Sequence, residues 1–206
     1  MSNRFWLGLA LPLFMVSTGA LRAEEQRSTM PVVERAVHVC NACHGEGGNS
    51  KATVFPKLAG QSPIYLAEQL RAFRSQKRSD SSAQAYMWGI SALLDDPTID
   101  GIAAYYAAQP PAPGKAGNAA LTAQGEKIFR EGIPASNIMA CAKCHGENAE
   151  GASVFPRLAG QHSDYIVKQL HEFKTKLRPH SVMADRVVKD ISPDQMQAVA
   201  TYLQSR

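Results

Sequence analysis

Cysteine is scarce in these 206 residues, with four in all, and aromatic side chains make up only 7%. Four cysteines confined to two short motifs leave none for the disulfide framework that staples small exported domains. Charge is equally muted. The 22 Lys and Arg against 18 Asp and Glu give +4, and no basic cluster is interleaved with aromatics, so the usual footprint of a nucleic-acid binder is missing. Long apolar runs are also lacking. The N-terminal stretch Phe5–Val16 reaches 12 residues and is interrupted by Gly8 and Pro12, whereas a membrane-spanning helix needs about 20. Neither half of the chain shows the period-two alternation of a half-buried strand.

That short apolar stretch suits a secretory signal. Arg4 supplies the positive n-region and Ser17–Ala23 a small-residue cleavage region, with cleavage expected after Ala23 and Ala20 as second choice. Residues 1–23 are therefore expected to leave and the mature protein to be exported. Loss of Arg4 and Arg22 reduces the 22 basic residues to 20 against 18 acidic ones.

The cysteines fall in two identical frames, Cys40-Asn41-Ala42-Cys43-His44 and Cys141-Ala142-Lys143-Cys144-His145. Cys-x-x-Cys-His is the pattern of c-type haem attachment. Two intervening residues let both thiols form thioethers to neighbouring vinyl groups, and the adjacent histidine falls beneath the iron. A redox dithiol needs no such histidine and belongs in a βαβ context that is not found here. Zinc held by four thiolates is the stronger rival. The export signal and the flanking repeats favour two covalently bound haem c groups, on Cys40/Cys43 and on Cys141/Cys144. A haem at the centre of each half would also supply the apolar surface that so few aromatics leave wanting.

The surroundings of each motif are duplicated. Val54-Phe55-Pro56-Lys57-Leu58-Ala59-Gly60-Gln61 matches Val154-Phe155-Pro156-Arg157-Leu158-Ala159-Gly160-Gln161 at seven of eight positions, and the match continues through Tyr65/Tyr165, Gln69/Gln169, Leu70/Leu170 and Phe73/Phe173. Between the copies, Gln109–Asn118 is rich in Pro and Gly and reads as a short, semi-stiff linker. The organisation expected is a signal over 1–23, a first domain over 24–110 and a second over 111–206.

The fold class expected is all-α. Helices are predicted over 31–43 and 122–131, each leading into or toward a haem motif. Leu66, Leu70, Phe73 and Ile166, Leu170, Phe173 each recur at i, i+4, i+7 on one helical face. Ser192-Pro193-Asp194-Gln195 has the form of a capped start for a helix over 193–204, and Asp96-Pro97 starts its counterpart in the first half.

A closed haem needs a second axial ligand, often methionine in electron carriers. In the first half Met87 is the candidate; Met30 lies ahead of the expected haem helix. In the second half Met183 is favoured, with His180 its competitor; Met139 lies on the proximal side and Met196 inside the last helix. His38, His162 and His171 have no matched partner and read as surface or helix-face residues. An iron-bound histidine usually donates its other ring N–H to a carbonyl or carboxylate, and the carbonyls of Pro56 and Pro156 are the acceptors expected for His44 and His145.

Both haem motifs, the doubled Phe-Pro-x-Leu-Ala-Gly-Gln segment, Met87 with the following Ile102–Tyr106 helix, and the Met183 loop together resemble the cytochrome c4 family of dihaem c-type cytochromes. The resemblance covers essentially the whole mature chain. It implies two tandem class I cytochrome c domains related by pseudo-twofold symmetry, His/Met iron in each, and haem edges close together at the domain interface. It also implies a carrier that moves electrons in the bacterial periplasm between redox proteins, often toward terminal oxidases, with some family members associated with the membrane. The spacing from Met183 to Ser192 departs by one residue.

A carrier that transforms no substrate is therefore the function expected, rather than an enzyme. Two alternatives stand beside it. One is the cytochrome subunit of a flavocytochrome sulfide dehydrogenase; the other is a dihaem peroxidase-type enzyme, which would need an open distal position. A cysteine-ligated haem, as a thiosulfate-oxidising dihaem enzyme would use, is excluded because all four cysteines are committed to thioethers.

Overall fold

The computed structural model describes residues 18–178 and 188–206. Eight α-helices are present among them: α1 Thr18–His44, α2 Pro63–Arg74, α3 Trp88–Ser91, α4 Asp96–Ala107, α5 Ala119–Glu131, α6 Ala142–His145, α7 Ser163–Lys174 and α8 Pro193–Gln204. Among these residues there is no strand, only isolated bridges such as Ile133 with Ile138. No described helix is long and apolar enough to cross a membrane.

Local chemistry accounts for the boundaries. Ser62 and Ser192 each accept from the backbone N–H of the third residue of the following helix, with proline as its first residue. At α8 the cap is reciprocal, since the Gln195 side chain also accepts from the Ser192 N–H at 2.8 Å. The cap of α4 is Asp95, which accepts from Thr98 N at 2.9 Å. Two boundaries differ from expectation. α5 begins three residues earlier than 122, capped by Asn118. α1 begins at Thr18, so Pro31 lies inside it and Met30 is part of the helix rather than ahead of it. Proline is tolerated best at a helix start, which is why Pro31 read as a beginning.

Each half closes by crossing its first and last long helices, and each crossing needs a glycine at its closest point. In the first half the glycine is on the closing helix: a Cβ on Gly101 would sit 2.4 Å from Val33 Cγ2. In the second it is on the leading helix, where a Cβ on Gly125 would sit 2.0 Å from the Ala198 carbonyl oxygen. Around these crossings two separate cores form. Val33, Val37, Leu66, Leu70, Ile99, Ile102 and Tyr106 build the first. Phe129, Ile166, Ile191, Val199, Tyr202 and Leu203 are central to the second. Each fully buried side chain of this kind stabilises by about 1.5–3 kcal/mol relative to exposure.

The segment after α4 has no regular structure until α5, yet it is tied to both halves. Asn49 donates to the Pro110 carbonyl and accepts from Ala112 N, while Lys115 N donates to the Gln204 carbonyl at 2.9 Å.

The halves meet through the duplicated segments, and the contacts are reciprocal. Gln61 Nε2 donates to the Arg157 carbonyl at 3.0 Å while its Oε1 accepts from Arg157 N at 2.6 Å. Gln161 does the same to Lys57, at 2.9 and 2.8 Å. A second layer repeats the symmetry. The Arg78 guanidinium lies 4.6 Å from the centre of the Phe73 ring and donates to Gln69, Gln169 and the Tyr165 hydroxyl. Arg178 lies 4.6 Å from the Phe173 ring centre and donates to Gln69, Gln169 and the Tyr65 hydroxyl.

Candidate haem-binding sites

Cys40, Cys43 and His44 occupy i, i+3 and i+4 on the last turn of α1, which places all three on one face. The helix then stops at Gly45, whose φ of 77° is in the left-handed region. The second motif copies the device on the short α6, ended by Gly146 at φ 81°. All four thiols are free. Cys43 is exposed, and Cys40 is half-buried beside the Tyr106 hydroxyl. Burial pushes the Cys40 thiol above its ordinary range, opposed by the Tyr106 hydrogen bond, and pushes Cys141 up to about 11.

The histidines are set alike. His44 Nδ1 donates to the Pro56 carbonyl at 2.8 Å, and His145 Nδ1 to the Pro156 carbonyl at 2.9 Å. Burial holds both imidazoles below their usual pKa, with the proline carbonyl pulling the other way. With Nδ1–H engaged, Nε2 is the nitrogen left to bind a metal. Phe55 and Phe155 meet the two imidazoles edge-on, ring centres 6.1 Å apart in both halves.

Met87 is the last residue of a π-helical turn, Ala83–Met87, that runs directly into α3. Sequence reading expected a plain loop; such turns concentrate at functional sites. Met87 packs against the same core as Cys40. Its neighbour Tyr86 meets Phe55 at 5.5 Å, which draws the segment toward His44. Trp88 Nε1 donating to the Arg78 carbonyl and Ser91 Oγ to the Met87 carbonyl, at 2.8 and 2.7 Å, hold the turn in place. Met183 and His180 lie outside the described residues. Of the other methionines, Met139 is exposed and Met196 is buried in the second core.

The donor set fits covalent haem: each half presents two free thiols and an imidazole whose Nδ1 is already committed. Among the described residues no three His, Cys, Asp or Glu side chains converge on a common point, so the four-thiolate zinc arrangement is not built.

Three features escaped the sequence reading. His162 is not a surface residue: it is buried, and its Nε2 lies 2.9 Å from the Ser50 carbonyl of the other half. Arg78 and Arg178 are both buried. Gln61 and Gln161 are buried as well and bridge the halves. The available signal was the duplication of polar Tyr, Gln and Arg at matched positions beside an apolar helical face.

A family model described as cytochrome c matches residues 122–206. Cytochrome c4 of Thiocapsa roseopersicina is 39% identical over 176 residues, covering 82% of this chain and 88% of the relative. A thiosulfate dehydrogenase electron acceptor of Thiomonas intermedia is 36% identical over 171 residues, covering 80% and 76% respectively. The solved structure of Acidithiobacillus ferrooxidans cytochrome c4 superposes with a TM-score of 0.77 at 37% identity, covering 81% of this chain and 98% of that one. Helices, reciprocal halves and relatives agree: the chain belongs to the cytochrome c4 family and has its two-domain class I cytochrome c fold.

Proposed function

We propose that this chain is a dihaem one-electron carrier of the periplasm, with residues 1–23 removed and domains over 24–110 and 111–206. The first haem is held by Cys40 and Cys43 with His44 and Met87 as axial ligands. The second is held by Cys141 and Cys144 with His145 and Met183. The observation that carries the reading is the pair of matched half-sites, each with two free thiols and a histidine whose Nδ1 is bonded to a proline carbonyl.

Haem supplies a one-electron iron couple when bound. In each half the chain's own residues would hold it by two thioethers and aim one imidazole nitrogen at the metal. A protein that passes single electrons between redox partners, toward a terminal oxidase or reductase, needs nothing more. A second reading of the donor comes from the relative named as a thiosulfate dehydrogenase electron acceptor: a sulfur-oxidising dehydrogenase would then feed this carrier.

Haem content and optical spectra test the proposal. Two low-spin haems per chain are expected, and Met87→His and Met183→His should each abolish half of the far-red methionine–iron band. A single haem, or a high-spin haem in the isolated protein, overturns it. Reduction of the protein by a thiosulfate dehydrogenase but not by other periplasmic donors would assign the donor.

A further inference from the structure

The reciprocal glutamine contacts do more than join the halves. Pro56 C=O and Lys57 N–H belong to one peptide group. Its oxygen accepts from His44 Nδ1 at 2.8 Å, and its N–H donates to Gln161 Oε1 at 2.8 Å. The second half repeats this: the Pro156–Arg157 peptide accepts from His145 Nδ1 at 2.9 Å and donates to Gln61 Oε1 at 2.6 Å. Each proximal histidine is thus connected, through a single peptide unit, to a buried glutamine of the opposite domain. The geometry is over-determined. Each glutamine amide also donates its Nε2 proton to the carbonyl of the same Lys57 or Arg157 residue, which fixes which end of the side chain faces the N–H.

We propose that Gln161 tunes the iron bound by His44, and Gln61 the iron bound by His145, each acting as a positioning residue from across the domain interface. This rests on His44 and His145 being axial ligands, as proposed above. Hydrogen bonds in a chain polarise one another, by about 10–30% per bond. When the peptide N–H donates to Gln Oε1, electron density moves toward the carbonyl oxygen, which becomes the stronger acceptor. The Nδ1–H bond of the histidine is then drawn further toward the carbonyl, and Nε2 becomes a more basic ligand. A more basic ligand favours the oxidised iron. Separating the domains would remove both glutamines, so domain pairing and redox poise are linked by this arrangement. The duplicated octet accounts for the symmetry: one end of it, Pro56 or Pro156, serves its own histidine, and the other end, Gln61 or Gln161, serves the opposite one.

The test uses the haem-loaded full chain with Gln161→Leu, Gln161→Glu and the matching Gln61 variants. Two quantities are read for each half: the Nδ1–H nitrogen-15 and proton shifts of its axial histidine in the reduced protein, and the reduction equilibrium of its haem. Gln161→Leu should weaken the His44 Nδ1 bond, move its proton resonance upfield and favour reduction of the first haem by up to about tenfold. The second haem should change less. Gln161→Glu keeps an acceptor, now charged, for Lys57 N–H and should shift both readouts in the opposite direction. Variants at Gln61 should mirror the pattern on His145. Opposite signs for Leu and Glu cannot arise from a merely loosened interface. If the Leu variant does not fold, the Glu variant and the amide exchange of Lys57 and Arg157 decide alone. Shifts confined to the variant's own half, equal shifts in both halves, or one sign for both substitutions would overturn the proposal. With two low-spin haems present, that result sinks this inference and leaves the carrier intact; loss of the axial histidines' role would sink both.

Discussion

The Arg78 guanidinium donates to the Asp80 carboxylate at 2.7 Å, and the two side chains retain only 8% and 1% of their exposure. This ion pair sits where the two domains meet, because the same guanidinium also donates to Tyr165 and Gln169 of the other half. Its charge is therefore shared between holding a loop and holding the interface. Burial would raise the Asp80 pKa, but the guanidinium overrides it and keeps the carboxyl below its usual range.

Removing one member of such a pair leaves an uncompensated buried charge. Arg78→Leu should destabilise the holoprotein by about 3–5 kcal/mol, read as a lower urea midpoint. Arg78→Met combined with Asp80→Leu should recover a large part of the loss, since buried pairs replaced together by apolar groups are often neutral. Equal loss in the single and double variants would show that the contacts to Tyr165 and Gln169 dominate.

Gly125→Ala should be the more damaging of the two helix-crossing substitutions. Its new Cβ meets backbone, the Ala198 carbonyl, whereas that of Gly101→Ala meets the Val33 side chain, which can yield by leaving its preferred helical rotamer. Overpacking of this kind costs about 1–3 kcal/mol, and the first should lie at or beyond the upper end and the second nearer the lower. Chemical denaturation of each variant ranks them.

His162 introduces a pH dependence to the interface. Burial lowers its pKa first, and Lys57 and Lys115 act in the same direction, against Asp164 and the Ser50 carbonyl. With the folded value below the unfolded value of about 6.5, its contribution is complete above that pH and is lost as pH falls toward the folded value. The urea midpoint of the wild type should therefore fall more steeply between pH 7.5 and 5 than that of His162→Gln. Parallel slopes would show that the ring's charge does not matter there.

Ser192→Ala removes one half of the reciprocal cap on α8 and should cost about 1 kcal/mol. Gln195→Ala removes the other half and should cost less, because Ser192 Oγ still accepts from residue 195 N. Thermal unfolding of the two variants compares them.

Much of the site was legible from residue order alone because its chemistry is local. Thiols at i and i+3 with a histidine at i+4 share one helical face without help from distant residues, and the serine–proline starts of α2 and α8 are written in consecutive positions. The π turn at Met87 was not legible, since Trp88 holds it by donating to the carbonyl of Arg78, a residue itself placed by contacts with the other half. His162 was misread for a similar reason: nothing within its own segment indicates that Ser50, 112 positions away, will lie against it.

The amino-acid order by itself determined that two equivalent modules follow one another, where each sets its two thiols and histidine, and which faces of its helices turn inward, because those properties depend on neighbours within a turn or two. Only the tertiary structure decided that Pro56 and Gln161, or Pro156 and Gln61, engage the same peptide groups, and that two buried arginines cross the boundary. Those pairings join residues about a hundred positions apart, and their partners are chosen by how two finished domains dock rather than by any periodicity along the chain.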